Sequence, residues 1–157
     1  MHFHKFEKIW LIFGTLSLAA FLTIVGVTAF AHGHTPAGGM DTIDPEKVAE
    51  TPPFDKPGVR QLDDDTYEAV IISQAFGYLP GKIKVPAGKE IIFTLTSTDV
   101  VHSFTIDNTK VNMMAVPGRI THKSYTFEKP GTYLVLCNEY CGAGHHMMST
   151  EIEVYEP

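Results

Sequence analysis

At 157 residues the chain has room for one modest domain and an appendage. Its formal charge of −6 excludes the basic face that nucleic-acid binding requires, and the acid excess is local. Residues 67–157 hold nine acidic and seven basic side chains, whereas Asp63, Asp64 and Asp65 form an acidic run upstream, read as a solvated turn.

Residues 9–31 carry no charge. At ~1.5 Å per residue they make a helix of roughly 35 Å, enough to cross a bilayer core with some tilt. Lys5 and Lys8 precede the run, and Asp41, Asp44 and Glu46 are the first charges after it. The positive-inside rule then places the N-terminus in the cytoplasm and the following chain outside. Ala29-Phe30-Ala31 also fits a signal cleavage site. A signal's apolar stretch runs only ~7–15 residues, however, so residues 1–31 are read as a tail and retained transmembrane anchor. Either reading exports the rest of the chain.

Residues 32–66 contain five of the ten prolines and show little periodicity, which reads as a linker without packed elements. His2, His4, His32 and His34 are read as solvated histidines flanking the membrane helix. From residue 67 the texture changes to short β-type runs, at 67–73, 82–85, 90–97, 100–106, 119–127, 132–136 and 150–155. Turn residues separate them, among them Gly77, Pro80, Gly81, Pro86, Gly88, Pro117, Gly118, Pro130 and Gly131. Seven or eight such strands predict an all-β, antiparallel sandwich or barrel over 67–157. About 90 residues suffice for one small core.

The chemistry concentrates in Cys137-Asn-Glu-Tyr-Cys141-Gly-Ala-Gly-His145-His-Met-Met148. It holds both cysteines, with a histidine four residues after the second and a methionine three residues further on. Thiolate, imidazole and thioether are the donors that copper prefers. On one straight strand the two cysteines would lie about 13 Å apart, too far to share a metal. The segment must therefore curl after Cys137, and Gly142 and Gly144 permit it. His102, in an apolar strand-like run 35 residues upstream of Cys137, is the expected donor from a neighbouring strand. Cys141, His145, Met148 and His102 alone can hold one copper as a blue-copper site, leaving Cys137 surplus. Two thiolates also permit two coppers, with sulfurs bridging, one histidine on each metal, and Met148 and a backbone carbonyl as weak outer donors. A disulfide between the cysteines is the bland alternative. Its loop is short, so it gains little closure entropy, and it leaves the histidines and methionine unexplained.

The pattern His102…Cys137-x3-Cys141-x3-His145-x2-Met148 resembles the dinuclear CuA centre of haem–copper oxidase subunit II. The likeness extends to the N-terminal anchor and to residues 75–88, 96–104, 115–119 and 127–148. It implies a cupredoxin-like Greek-key β-sandwich preceded by one transmembrane helix. It further implies two coppers bridged by Cys137 and Cys141, with His102 and His145 as terminal ligands. Met148 is then a weak ligand to one copper, and the Glu139 carbonyl binds the other. The family accepts electrons from cytochrome c and passes them to haem in subunit I, where oxygen is reduced. It usually has two helices and a tryptophan-containing run before the copper domain. Here there is one helix, and residues 74–78 hold Phe76 and Tyr78 but no tryptophan; Trp10 is the sole tryptophan. Both departures resemble the B-family, ba-type oxidases, and no electron-entry role carries over from the missing tryptophan.

The expectation is thus the electron-entry subunit of a terminal oxidase, with a membrane, a haem-bearing subunit I and a cytochrome c-like donor as partners. The alternatives are an anchored mononuclear blue-copper carrier or chaperone and the CuA subunit of a nitric oxide reductase. A short anchored chain is not expected of nitrous oxide reductase, which adds a catalytic domain. His145 is preferred to His146, and Met148 to Met147, by spacing. Met113 and Met114 are adjacent on a strand, so at least one packs inward while the other can reach a docking surface. Phe76 and Tyr78 are read first as packing residues. Mass spectrometry of the mature protein is expected to show the N-terminal segment retained; a mass beginning at His32 would show it cleaved.

Overall fold

A computed structural model describes residues 4–31 and 41–157; His2, His32 and His34 lie outside them. The chain divides into two compact units, Met1–Thr35 and Pro36–Pro157.

The described residues of the first unit form one helix, α1 (Lys5–Ala31). It begins at His4, whose carbonyl accepts the Lys8 N–H at 3.1 Å. The His4 N–H donates to Glu7 Oε2 at 2.8 Å, the return half of a capping box. The Thr23 and Thr28 hydroxyls donate to the carbonyls of Ala19 (2.8 Å) and Val25 (2.9 Å). Both hydroxyls thereby find partners inside the helix, as a segment that crosses a membrane would require. None of its side chains is buried, and its length and composition suit a membrane crossing.

The second unit is a β-sandwich. Its strands are β1 (Gly58–Gln61), β2 (Thr66–Gln74), β3 (Gly77–Leu79), β4 (Ile83–Pro86), β5 (Glu90–Ser97), β6 (His102–Ile106), β7 (Asn112–Ala115), β8 (Thr121–Thr126), β9 (Gly131–Leu136) and β10 (Ser149–Tyr155). One sheet runs β1-β2-β5-β8, with β3 also on β2; the other runs β4-β10-β9-β6-β7. Most pairs are antiparallel as expected, but β2 with β5 and β4 with β10 are parallel. The inner faces of the sheets share one core, in which Phe93, Phe104, Phe127, Ile91, Leu95, Val135 and Ile152 are fully buried. The Phe93 and Phe104 rings pack with centroids 5.6 Å apart, and Phe127 stands edge-on to Phe93 at 6.3 Å, a favoured arrangement for aromatic pairs.

The linker reading of 41–66 does not hold for its structure. Asp44 caps a 3₁₀ turn, Pro45–Glu50, by accepting the Glu46 N–H at 3.1 Å. Ile43, Val48 and Phe54 are buried against Val70 and Ile72 of β2, with Ile120 packed alongside. The arm is stitched to the sandwich by Ile43 N–H to the Gly118 carbonyl (3.2 Å) and Ile120 N–H to the Asp41 carbonyl (2.9 Å). Strand β1 then pairs with β2. The cause is visible in β2. Ala69 and Ile71 face the main core while Val70 and Ile72 face the arm, so both faces of the strand are covered.

Phe54→Ala in the full-length chain is expected to destabilise the outer unit by about 3 kcal/mol, the usual cost of emptying a buried phenylalanine site. Denaturant unfolding followed by tyrosine fluorescence measures it; an unchanged midpoint would mean that the arm is not packed.

Candidate metal centre

Strands β9 and β10 are antiparallel neighbours with Leu136 opposite Ser149. The loop 137–148 between them must therefore return to the point it left. The Cys137 N–H donates to the Met148 carbonyl at 3.2 Å, closing its base. Inside, Gly142 takes φ +120°, a conformation costly for any residue with a Cβ. The turn His145–Met147 is held by N–H bonds from His145 to Gly142 (3.1 Å), Met147 to Gly144 (3.0 Å) and Met148 to His145 (3.1 Å).

This curl brings the donors together. Cys137 and Cys141 are both buried and free, their sulfurs 3.9 Å apart, nearly twice the ~2.05 Å of a disulfide. Cys141 Sγ lies 3.6 Å from His145 Nδ1 and 3.6 Å from Met148 Sδ. Cys137 Sγ lies 3.2 Å from the Glu139 carbonyl oxygen. From β6, His102 completes a group with the two cysteines whose ligand atoms all lie within 4.8 Å of one another. The four residues picked out by spacing thus converge with His102 and with the Glu139 carbonyl that the family resemblance implies. Their neighbours do not: Met148 is 2% exposed against 67% for Met147, and His146 faces solvent while His145 is half-buried.

His102 shows what such a group wants. Its Nε2 lies 2.8 Å from Asp99 Oδ1. An ionised carboxylate can only accept, so Nε2 donates to it, which in the neutral imidazole leaves the lone pair on Nδ1. That Nδ1 is buried with no hydrogen-bond partner among the described residues. A buried acceptor left unpaired costs roughly 1–3 kcal/mol, and a metal ion is the partner that soft sulfurs and this nitrogen can share.

Comparison with known proteins agrees. The model of the cytochrome c oxidase subunit II periplasmic domain matches residues 76–155. A cytochrome c oxidase subunit 2 of Thermus thermophilus is 39% identical over 155 residues, covering 96% of this chain and 92% of that one. The chain belongs to the cytochrome c oxidase subunit II family. A second Thermus thermophilus subunit 2 is 40% identical over 126 residues, 79% of this chain and 93% of its own length. Among solved structures, a chain of a haem–copper terminal oxidase dimer superposes with a TM-score of 0.81 at 29% identity, covering 96% of this chain and all of that one. The periplasmic domain of subunit II from Bradyrhizobium japonicum (TM-score 0.53, 22% identity, 61% of this chain and 87% of that one) shares the fold, which is cupredoxin-like. The family's role is electron entry into the oxidase, and this chain is such an electron-entry subunit.

Within that subunit, spacing alone did not reveal three supports. Asp99 is the first. Its carboxylate accepts from His102, from the Val100 N–H at 2.7 Å and from the Ser97 hydroxyl at 3.2 Å. Partial burial pushes its pKa up, but the bonds from His102, Val100 N–H and Ala75 N–H hold it below the ordinary carboxylate value. Ser103 is the second: its hydroxyl accepts the Asn138 N–H, tying the loop to β6. Tyr78 is the third. Its hydroxyl donates to the Ser103 carbonyl at 2.6 Å, and burial, then the two nearby thiols, push its pKa far above the phenol range. It is a structural hydrogen-bond donor. Burial and Cys137 also raise the Cys141 thiol, so without a metal this cysteine is held as the neutral thiol. The signal for Asp99 was its place three residues before His102 at a strand end; nothing comparable marked Ser103. Met113 is 1% exposed and Met114 49%, one inward and one outward as the strand alternation required.

Asp99→Asn is expected to weaken metal retention about 10–100-fold, the usual effect of losing a ligand's orienting partner. Competition with a chelator measures it, and wild-type retention would separate Asp99 from the metal centre.

Proposed function

We propose that this subunit holds two copper ions as a CuA centre, taking electrons from a cytochrome c-like donor and passing them to haem in a subunit I embedded in the same membrane. Cys137 and Cys141 would hold both ions, His102 and His145 would each serve one as terminal ligand, and Met148 and the Glu139 carbonyl would be weak outer ligands. The observation that carries this reading is the pair of free, buried thiols facing each other at 3.9 Å beside the orphaned Nδ1 of His102. A single-copper site would leave one thiol without a task. Bound copper supplies one-electron acceptance and release.

The chain's own residues keep that exchange fast by moving little. His102 is fixed by a strand on one side and by Asp99 on the other. Cys137 and Met148 are held by the closing bond of the loop. Buried donors exclude bulk water, and a rigid, dry donor set limits reorganisation when charge changes. Two departures from the common family form favour the B-type reading: one N-terminal helix, α1, among the described residues, and no tryptophan run before the copper loop, where Phe76 and Tyr78 stand instead. The chain then divides as an anchor (1–31) and a copper domain (67–157) on the outer side, with residues 41–66 packed on that domain.

The rim beside the ligands carries exposed Val100, Met114, Tyr140 and Met147, and the Tyr140 ring stands edge-on to His145 at 5.9 Å. With residues 67–157 near neutral, docking of the donor is predominantly apolar. Turnover with reduced cytochrome c is therefore expected to change by no more than about twofold as salt rises through the physiological range, where screening would weaken a charge-steered encounter far more. A steep fall would contradict it. The deciding experiment is to purify the full chain from membranes with its partners. A haem-bearing large subunit that consumes oxygen is expected; one that reduces nitric oxide instead would overturn the oxidase assignment.

A further inference from the structure

The turn between β2 and β3 does something the ligand list does not explain. Phe76 there has φ +69°, a left-handed conformation that a bulky residue adopts only when its surroundings demand it. The residue is 43% exposed, so hiding it from water is not the demand. What the ring does is cover the copper loop. A Cβ placed on Gly144 would sit 2.4 Å from Phe76 Cγ and 2.6 and 2.7 Å from its two Cδ atoms. A Cβ on Gly142 would lie 3.4 Å from Phe76 Cε1 and 3.7 Å from Cζ. The ring therefore lies across both glycines, on the backbone that links Cys141 to His145. The turn thus touches the loop itself.

We infer that Phe76 is a positioning residue: its ring clamps the 142–144 backbone and so sets the place of His145 relative to Cys141. This rests on the reading of 137–148 as the copper loop. The clamp explains why 144 is glycine although its φ of −91° is open to any residue: the space is filled by the ring. It also explains the left-handed turn, which aims an aromatic side chain back over the site. Hairpin β2–β3 is in turn fixed by the Tyr78 hydroxyl on the Ser103 carbonyl, so the clamp has a rigid hinge.

The test uses the full-length chain in detergent and, separately, the assembled oxidase. In the metal-free chain, Phe76→Ala is expected to speed amide exchange of His145, Met147 and Met148 by ~10-fold, since their bonds close the clamped turn. Phe76→Tyr, which keeps the ring, is expected to match wild type. In the oxidase, copper loss to a strong copper(I) chelator is expected to quicken by a similar factor in Phe76→Ala. Gly144→Ala is expected to loosen the loop in the presence of Phe76, yet to add little in the Phe76→Ala background, because the clash partner is gone. Equal damage by Gly144→Ala in both backgrounds, or wild-type exchange in Phe76→Ala, would overturn the clamp. A wild-type chain that takes up no copper would sink the copper reading instead, while the exchange comparison would still decide the clamp.

Discussion

The structure turns on one constraint: a loop that joins two adjacent antiparallel strands must end where it began. Leu136 and Ser149 face each other across β9 and β10, so Cys137 and Met148 are neighbours by register, and the Cys137 N–H to Met148 carbonyl bond follows. The other side of β9 pairs with β6, Thr105 opposite Leu136. Because that pair is antiparallel, residues beyond 136 meet residues before 105. The same end of the sheet therefore receives His102, Ser103 and the cysteine loop. Sheet pairing alone assembles the far-separated donors, and the loop's internal turns need only place Cys141 and His145.

The donors then sit in an environment that makes sense only with a metal. Cys137, Cys141 and Met148 belong to the apolar core, where small soft side chains pack without penalty. His102 is different. Its buried Nδ1 has no partner among the described residues, and Asp99 bonds the opposite nitrogen. Folding thus stores an unpaired acceptor whose cost metal binding removes, so loading and stability of this domain are coupled. The same rigidity that makes the acceptor costly keeps the ligands still during electron exchange.

Much of this could be read from the residues. The spacing of Cys137, Cys141, His145 and Met148 named the donors, because thiolate, imidazole and thioether at those intervals have little other use. The distance argument required the curl, and the curl required a histidine from elsewhere. Alternation with turn residues marked the longer strands. The misses have physical reasons as well. Strands β1, β3 and β7 have three or four residues each and, unlike the equally short β4, no clear apolar alternation to mark them. Prolines in 32–66 resembled a linker, yet Ile43, Val48 and Phe54 were spaced to fill one patch. The clue lay in β2, whose unbroken Ala-Val-Ile-Ile lacks the alternation of a strand with a wet face and so called for a covering layer. The parallel pairings depend on long crossovers, which local pattern does not encode. Asp99 and Phe76 act across space from turns, where composition says only that the chain bends.

The central claim is that both thiols serve one dinuclear copper centre in an electron-entry subunit. The most direct measurement is the copper content of the purified, copper-loaded full-length chain, taken together with its visible absorption. Two coppers per chain and a purple protein are predicted. One copper per chain with a single intense blue band would contradict the account, because Cys137 would then stand outside the centre.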